Sequence, residues 1–299
     1  MTWAFLAGGA AIFYALHGAW SARVARAAGP LLSGWALFTF ALPFLFAYLA
    51  ATGLSAVGIG YWPVWIINSL INLGASYLFM SALRIGDLGL TYPLLALTPV
   101  FVIPIEWGLL GELPGPWGGV GIALVVLGVY LLNFRERRGG LLAPFRALAS
   151  DPGAVRMLVV AVLWSVSGTL DRVAVLESSP AFYGFTLSAA LSILYLPLVL
   201  RAGRRSRTEP GLPAGVLGRI SGAGVWVLVL HGLLFAAMLT LQMTSLSMAL
   251  ASYVLSIKRS GAIFAVLLGY LAFREGTLGP RLVGAAVVVS GACVLVIWG

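Results

Sequence analysis

From Val225 to Phe273 the chain carries no charged residue except Lys258 and Arg259, and apolar runs of similar character fill most of the remaining sequence. Runs this long exclude a surface-soluble helix with one polar face. They read as helices that cross a bilayer, where each backbone amide must be satisfied within its own segment. Hydrophobic residues make up 61% of the chain and charged residues only 9%, with a mean hydropathy of +1.03. A soluble domain keeps roughly a quarter of its residues charged. The runs are continuous rather than alternating, so a β-barrel is not expected.

Taken in order, the apolar runs predict spans over 3–20, 31–50, 61–83, 88–110, 115–133, 157–175, 182–200, 224–245, 248–272 and 280–298. The expected fold is an all-α integral membrane protein of about ten transmembrane helices. Gly29-Pro30, Gly115-Pro116 and Gly279-Pro280 stand where spans begin, a place where proline's missing amide costs least. The first run precedes Arg23 and Arg26 instead of following a basic segment, so it reads as a retained span rather than a cleaved signal. Cys293 is the single cysteine and lies in the last span. It cannot form an intrachain disulfide and reads as a small hydrophobe.

The net charge of +9 does not mark a nucleic-acid binder, because the basic residues sit in loops between spans. Of the 18 Lys and Arg residues, all but Arg172, Lys258 and Arg259 fall at the odd-numbered loops. The positive-inside rule then puts those loops in the cytoplasm and both termini outside. The chain also repeats. Glu112, Gly121 and Gly128 recur 163 residues later as Glu275, Gly284 and Gly291, and Tyr92 and Gly108 recur as Tyr253 and Gly269. Tyr14 to Gly18 align with Trp164 to Gly168. Five spans per copy is an odd number, so the second copy enters the membrane from the opposite side. The expected organisation is a first five-helix repeat over 1–135, a basic cytoplasmic linker over 136–156, and a second, inverted repeat over 157–299. In such carriers the substrate site lies at mid-membrane between the repeats.

The segments from Leu83-Arg84-Ile85-Gly86-Asp87 through Thr98-Pro99 to Gly111-Glu112, and from Tyr253 through Lys258-Arg259 to Arg274-Glu275, resemble helices four and nine of the drug/metabolite transporter superfamily. The resemblance is to its bacterial EamA-type branch. It implies a bacterial inner-membrane carrier in which helices 1–4 and 6–9 surround a cavity and helices 5 and 10 pack at the side. Gly121 with Gly128, and Gly284 with Gly291, share one helix face each, as close backbone packing requires. The resemblance also implies a role for Lys258-Arg259, since plastid phosphate-sugar translocators of the superfamily hold phosphate with a similar pair.

Charges at mid-membrane cost roughly 2.5–3.5 kcal/mol each on insertion scales and therefore face a cavity or a partner. Lys258 and Arg259 either bind a carboxylate or phosphate or pair with Glu106 or Asp171. Glu106 is a proton-coupling candidate, the counter-ion of a cationic drug, or an interfacial carboxylate. Asp171 is a further proton-coupling candidate, or the partner of Arg172. Asn68 and Asn72, spaced i,i+4, share a face that lines a cavity or bonds to a neighbouring helix. His17 and His231 are packed histidines or proton relays. Tyr14, Tyr92, Trp164 and Tyr253 fall near span centres and suit apolar substrate walls or core. Pro93, Pro99 and Pro104 are expected to kink span four.

No phosphate loop, nucleophile elbow, catalytic carboxylate pair or metal-ligand spacing is present, so neither an enzyme, a cofactor nor a metal is expected. The expected activity is secondary transport of a small metabolite bearing a carboxylate or phosphate, an amino acid or related organic anion. Protons are a possible coupling ion, and the carrier is expected to be a monomer or weak homodimer in the lipid bilayer. A drug or cation exporter relying on Glu106 and a lipid flippase are the alternatives.

Overall fold

The computed structural model describes residues 1–85, 92–132, 151–208, 224–264 and 278–298. Among these there is no strand. The helices are α1 (Thr2–Ala28), α2 (Pro30–Thr52), α3 (Tyr61–Ile85), α4 (Thr98–Leu110) and α5 (Pro116–Leu132) in the first half. The second half holds α6 (Pro152–Leu176), α7 (Pro180–Thr208), α8 (Val225–Leu246), α9 (Ala251–Arg259) and α10 (Leu278–Trp298). By length and hydropathy α2, α3, α6, α7 and α8 can each cross a membrane unaided. Shorter apolar helices run over Leu94–Leu110, Pro116–Leu132 and Val283–Trp298.

Local chemistry sets the helix ends. Gly29 adopts φ 83°, a left-handed value suited to glycine, and this lets α1 stop and α2 begin one residue later. Pro30 and Pro152 occupy first-turn positions, and the Asp151 carboxylate accepts the Gly153 amide at 2.7 Å to cap α6. Of the expected linker over 136–156, residues 136–150 lie outside the described residues, and α6 starts at Pro152.

Two expected spans depart from simple helices. Of the fourth, expected over 88–110, residues 88–91 lie outside the described residues; Tyr92–Leu97 form a 3-10 turn and the α-helix starts at Thr98. Pro93 and Pro99 supply the reason: each removes an amide donor and crowds the residue before it. The ninth, expected over 248–272, is helical over Ala251–Arg259 and turns at Ser260, whose amide bonds to Ile257 O at 3.0 Å. Helical residues 261–264 follow, and 265–272 lie outside the described residues.

The helices pack in a paired pattern. α1 lies along α8 as α3 lies along α6, α1 meets α9 as α6 meets α4, and α2 packs on α7. α5 packs on α10 at the side of the bundle, the most extensive helix pairing among the described residues. Exchanging α1–α5 for α6–α10 maps this set of neighbours onto itself. The α5–α10 seam is a backbone contact: a Cβ on Gly128 would sit 2.5 Å from Val288 N, and one on Gly291 would sit 2.7 Å from Val125 N.

The basic loops that orient the chain lie mostly outside the described residues, so orientation is read by labelling. With Cys293 replaced by Ser, Ala56→Cys is expected to react with an impermeant thiol reagent in intact cells, and Gly140→Cys is not. Reaction of Gly140→Cys alone would invert the orientation.

Candidate functional site

The bundle holds a partly open cavity of about 80 Å³. Its wall is drawn from both halves: Tyr14 and His17 on α1, Asn72 on α3, Thr98 on α4, Trp164 and Asp171 on α6, Gln242 on α8, and Lys258 and Arg259 on α9. Phe38, Phe79 and Phe235 complete an aromatic lining. A mostly apolar pocket with a few convergent polar groups is the common form of a small-molecule site.

Both cations are buried, with Lys258 8% and Arg259 4% exposed. Lys258 Nζ donates to Gln242 Oε1 at 2.6 Å and lies 5.5 Å from the Tyr14 ring centre. An ammonium has three donors, and Gln242 takes one. Arg259 Nη2 donates to Thr98 Oγ1 at 2.9 Å, and Nη1 donates to the Tyr14 hydroxyl. The guanidinium carbon lies 5.1 Å from the Tyr14 ring centre and 5.7 Å from that of Trp164. Arg259 Nε is buried without a hydrogen-bond partner among the described residues. No carboxylate comes within 4 Å of either cation there, because the ion pairs present all belong to Arg172.

Asp171 faces the same cavity, 5% exposed, and is held from behind. Asn68 Nδ2 donates to Asp171 Oδ1 at 2.7 Å, and the Tyr183 hydroxyl donates to the same oxygen at 2.6 Å. Asn72 Nδ2 donates to Ser167 Oγ at 2.8 Å. Asn72 thus faces the cavity, whereas Asn68 is fully buried and orients the acid. The pseudo-equivalent cluster joins α1 and α8. His17 Nε2 and Ser21 Oγ are 3.0 Å apart, and the His17 and His231 rings stack at 5.6 Å. His231 follows Asn68 by 163 residues, and Ser167 and Asp171 follow His17 and Ser21 by 150, so the two clusters occupy corresponding places.

The remaining candidates lie elsewhere. Glu106 is fully buried but absent from the cavity wall. Its Oε1 accepts the Ala251 amide at 2.7 Å and its Oε2 the Ser252 amide at 3.2 Å, at the start of α9. Arg172 reaches Glu106 at 3.3 Å and also pairs with Glu112, so Arg172 does not pair with its neighbour Asp171. Tyr253, expected in the wall, instead accepts the Gly115 amide at 3.1 Å and stacks on Trp3. Tyr253 lies in the first turn of α9 and is turned towards α1 and the start of α5. Tyr92 opens the 3-10 turn, and its side chain lies outside the described residues. Gln242, Thr98 and Tyr183 were not singled out from sequence. Gln242 offered a signal, as the one amide side chain in the apolar run of α8.

The described residues thus form a helical bundle around a partly charged cavity, with five helices long and apolar enough to cross a membrane. Residues 1–134 match the model of the EamA-like transporter family, which belongs to the drug/metabolite transporter superfamily. The curated proteins contain no match. Among solved structures, one described only as the crystal structure of a protein superposes with a TM-score of 0.73 at 19% identity. That match covers 98% of this chain and 95% of the other, and it shows a shared fold.

Proposed function

We propose that this chain is an alternating-access secondary carrier of a small metabolite bearing a carboxylate or phosphate, resident in the bacterial inner membrane with both termini outside. The observation that carries the reading is the pair of buried cations on the cavity wall with no carboxylate within 4 Å among the described residues. Unpaired charge inside a bilayer is expensive, and a substrate anion offsets that cost when it enters. Among the described residues Arg259 Nε has no acceptor and the Lys258 ammonium, with three donors, has Gln242, so both can donate to such a group; the aromatic lining accommodates an apolar remainder. Asp171 on the same cavity suits an ammonium carried by the same molecule, which favours an amino acid over a simple organic anion. The cation-exporter reading through Glu106 loses its support, because that carboxylate is occupied by Arg172 and the α9 amides.

A thermal-shift panel on purified protein tests the reading. Amino acids, aromatic carboxylates and phosphate esters are expected to raise Tm, and the corresponding neutral amides are not. Stabilisation by amides or organic cations alone would overturn it.

If protons drive the cycle, Asp171 is the carboxylate on the cavity wall that can carry them, with His17 the imidazole there. Asp171→Asn is then expected to abolish pH-driven uptake in proteoliposomes while counterflow exchange persists, and Glu106→Gln to keep its pH dependence. Unchanged pH dependence in Asp171→Asn would remove that carboxylate from coupling.

A further inference from the structure

α9 begins in the apolar interior with no side chain of its own to cap it. A helix leaves its first four amides without partners in the helix, and in a bilayer no water stands by to take them. Here each of the first four has an acceptor. The Tyr253 and Val254 amides both bond to Leu250 O at 3.1 Å. The Ala251 and Ser252 amides bond to the two oxygens of Glu106, a residue of α4 lying 145 positions earlier. A carboxylate there also suits the positive end of the helix dipole. The other end of this nine-residue helix is Lys258-Arg259.

We propose that Glu106 is a positioning residue for the cationic site: by holding the first two amides of α9 it fixes the placement of Lys258 and Arg259 in the cavity wall. Arg172 secures Glu106 in turn, and Arg172 adjoins Asp171, so the acid and the cations of the cavity are referenced to one carboxylate. Gly261 supports the same placement from the far end, since a Cβ there would sit 2.4 Å from Ala11 O and α9 therefore has little room to shift along α1. The functional meaning rests on the anion-binding reading of Lys258, but its structural core does not.

Lys258 is the only lysine in the chain, so amine-reactive labelling reports on this one side chain, with the N-terminus as an internal reference. In detergent-purified full-length protein, wild-type Lys258 is expected to react slowly with a small acylating reagent, being buried and bonded to Gln242. Glu106→Ala is expected to raise that rate at least several-fold and to speed hydrogen exchange in the peptide spanning Ala251 to Arg259. Glu106→Gln keeps an acceptor oxygen, should remain folded, and is expected to show an intermediate rate. Gly121→Ala, at the α5–α10 seam, serves as the destabilised control: an equal loss of Tm there should leave Lys258 labelling unchanged. Wild-type labelling and exchange in both folded Glu106 variants, or the same acceleration in Gly121→Ala, would overturn the proposal. Neither result bears on whether an anion binds, which the Tm panel reads separately.

Discussion

Lys258→Ala is expected to lose transport while remaining folded and monodisperse. The ammonium is desolvated in the cavity wall, and the substrate's charge replaces its lost water. Removing such a buried charge-assisted contact costs about 2–4 kcal/mol of binding, about 30- to 1000-fold in affinity. Lys258→Arg should retain partial activity, since the charge survives and the donor geometry changes. The loss should be selective, with anionic substrates weakened and neutral analogues little affected. Equilibrium binding to the purified variants reads this. Uniform loss across charged and neutral ligands would mean that Lys258 supports the fold rather than the ligand.

Gly284→Leu is expected to fail at assembly instead. A Cβ at that position would lie 2.6 Å from Leu132 N, 2.9 Å from Leu132 Cα and 3.0 Å from Gly128 O. Those atoms are backbone and cannot rotate away, so α5 and α10 must separate. Overpacking usually costs about 1–3 kcal/mol, and a clash between two helix backbones should exceed about 3 kcal/mol. Expression and Tm of the purified variant report it. Normal abundance with altered substrate selectivity would place this face along the transport path.

The sequence exposed the bundle because membrane insertion writes its demands locally, as apolar length and as charge confined to loops. That same partition isolated Arg172, Lys258 and Arg259 as the basic residues outside the loops, and all three make buried or half-buried contacts between helices. Their partners were not legible. Glu106 and Asp171 were both available to Lys258 and Arg259 by composition, and only packing shows Glu106 joined to Arg172 and α9 while Asp171 is held by Asn68 and Tyr183. Tyr253 was not legible as a packed side chain because hydropathy over 248–272 does not say which neighbour a residue faces, and packing sets it against Gly115 and Trp3. The correspondence of Asn68 with His231 lies in the sequence offset. It acquires meaning only once α3 is seen on α6 and α1 on α8.

The central claim is that the substrate's anionic group binds at Lys258. The single lysine permits a direct measurement: the rate of Lys258 acylation in purified wild-type protein, with and without each compound that raises Tm or is transported in proteoliposomes. A transported anion at saturating concentration is expected to slow Lys258 labelling severalfold and to leave the N-terminal amine unaffected, while its neutral amide does neither. A compound that is transported yet leaves the Lys258 rate unchanged would contradict the account and place the substrate elsewhere in the bundle.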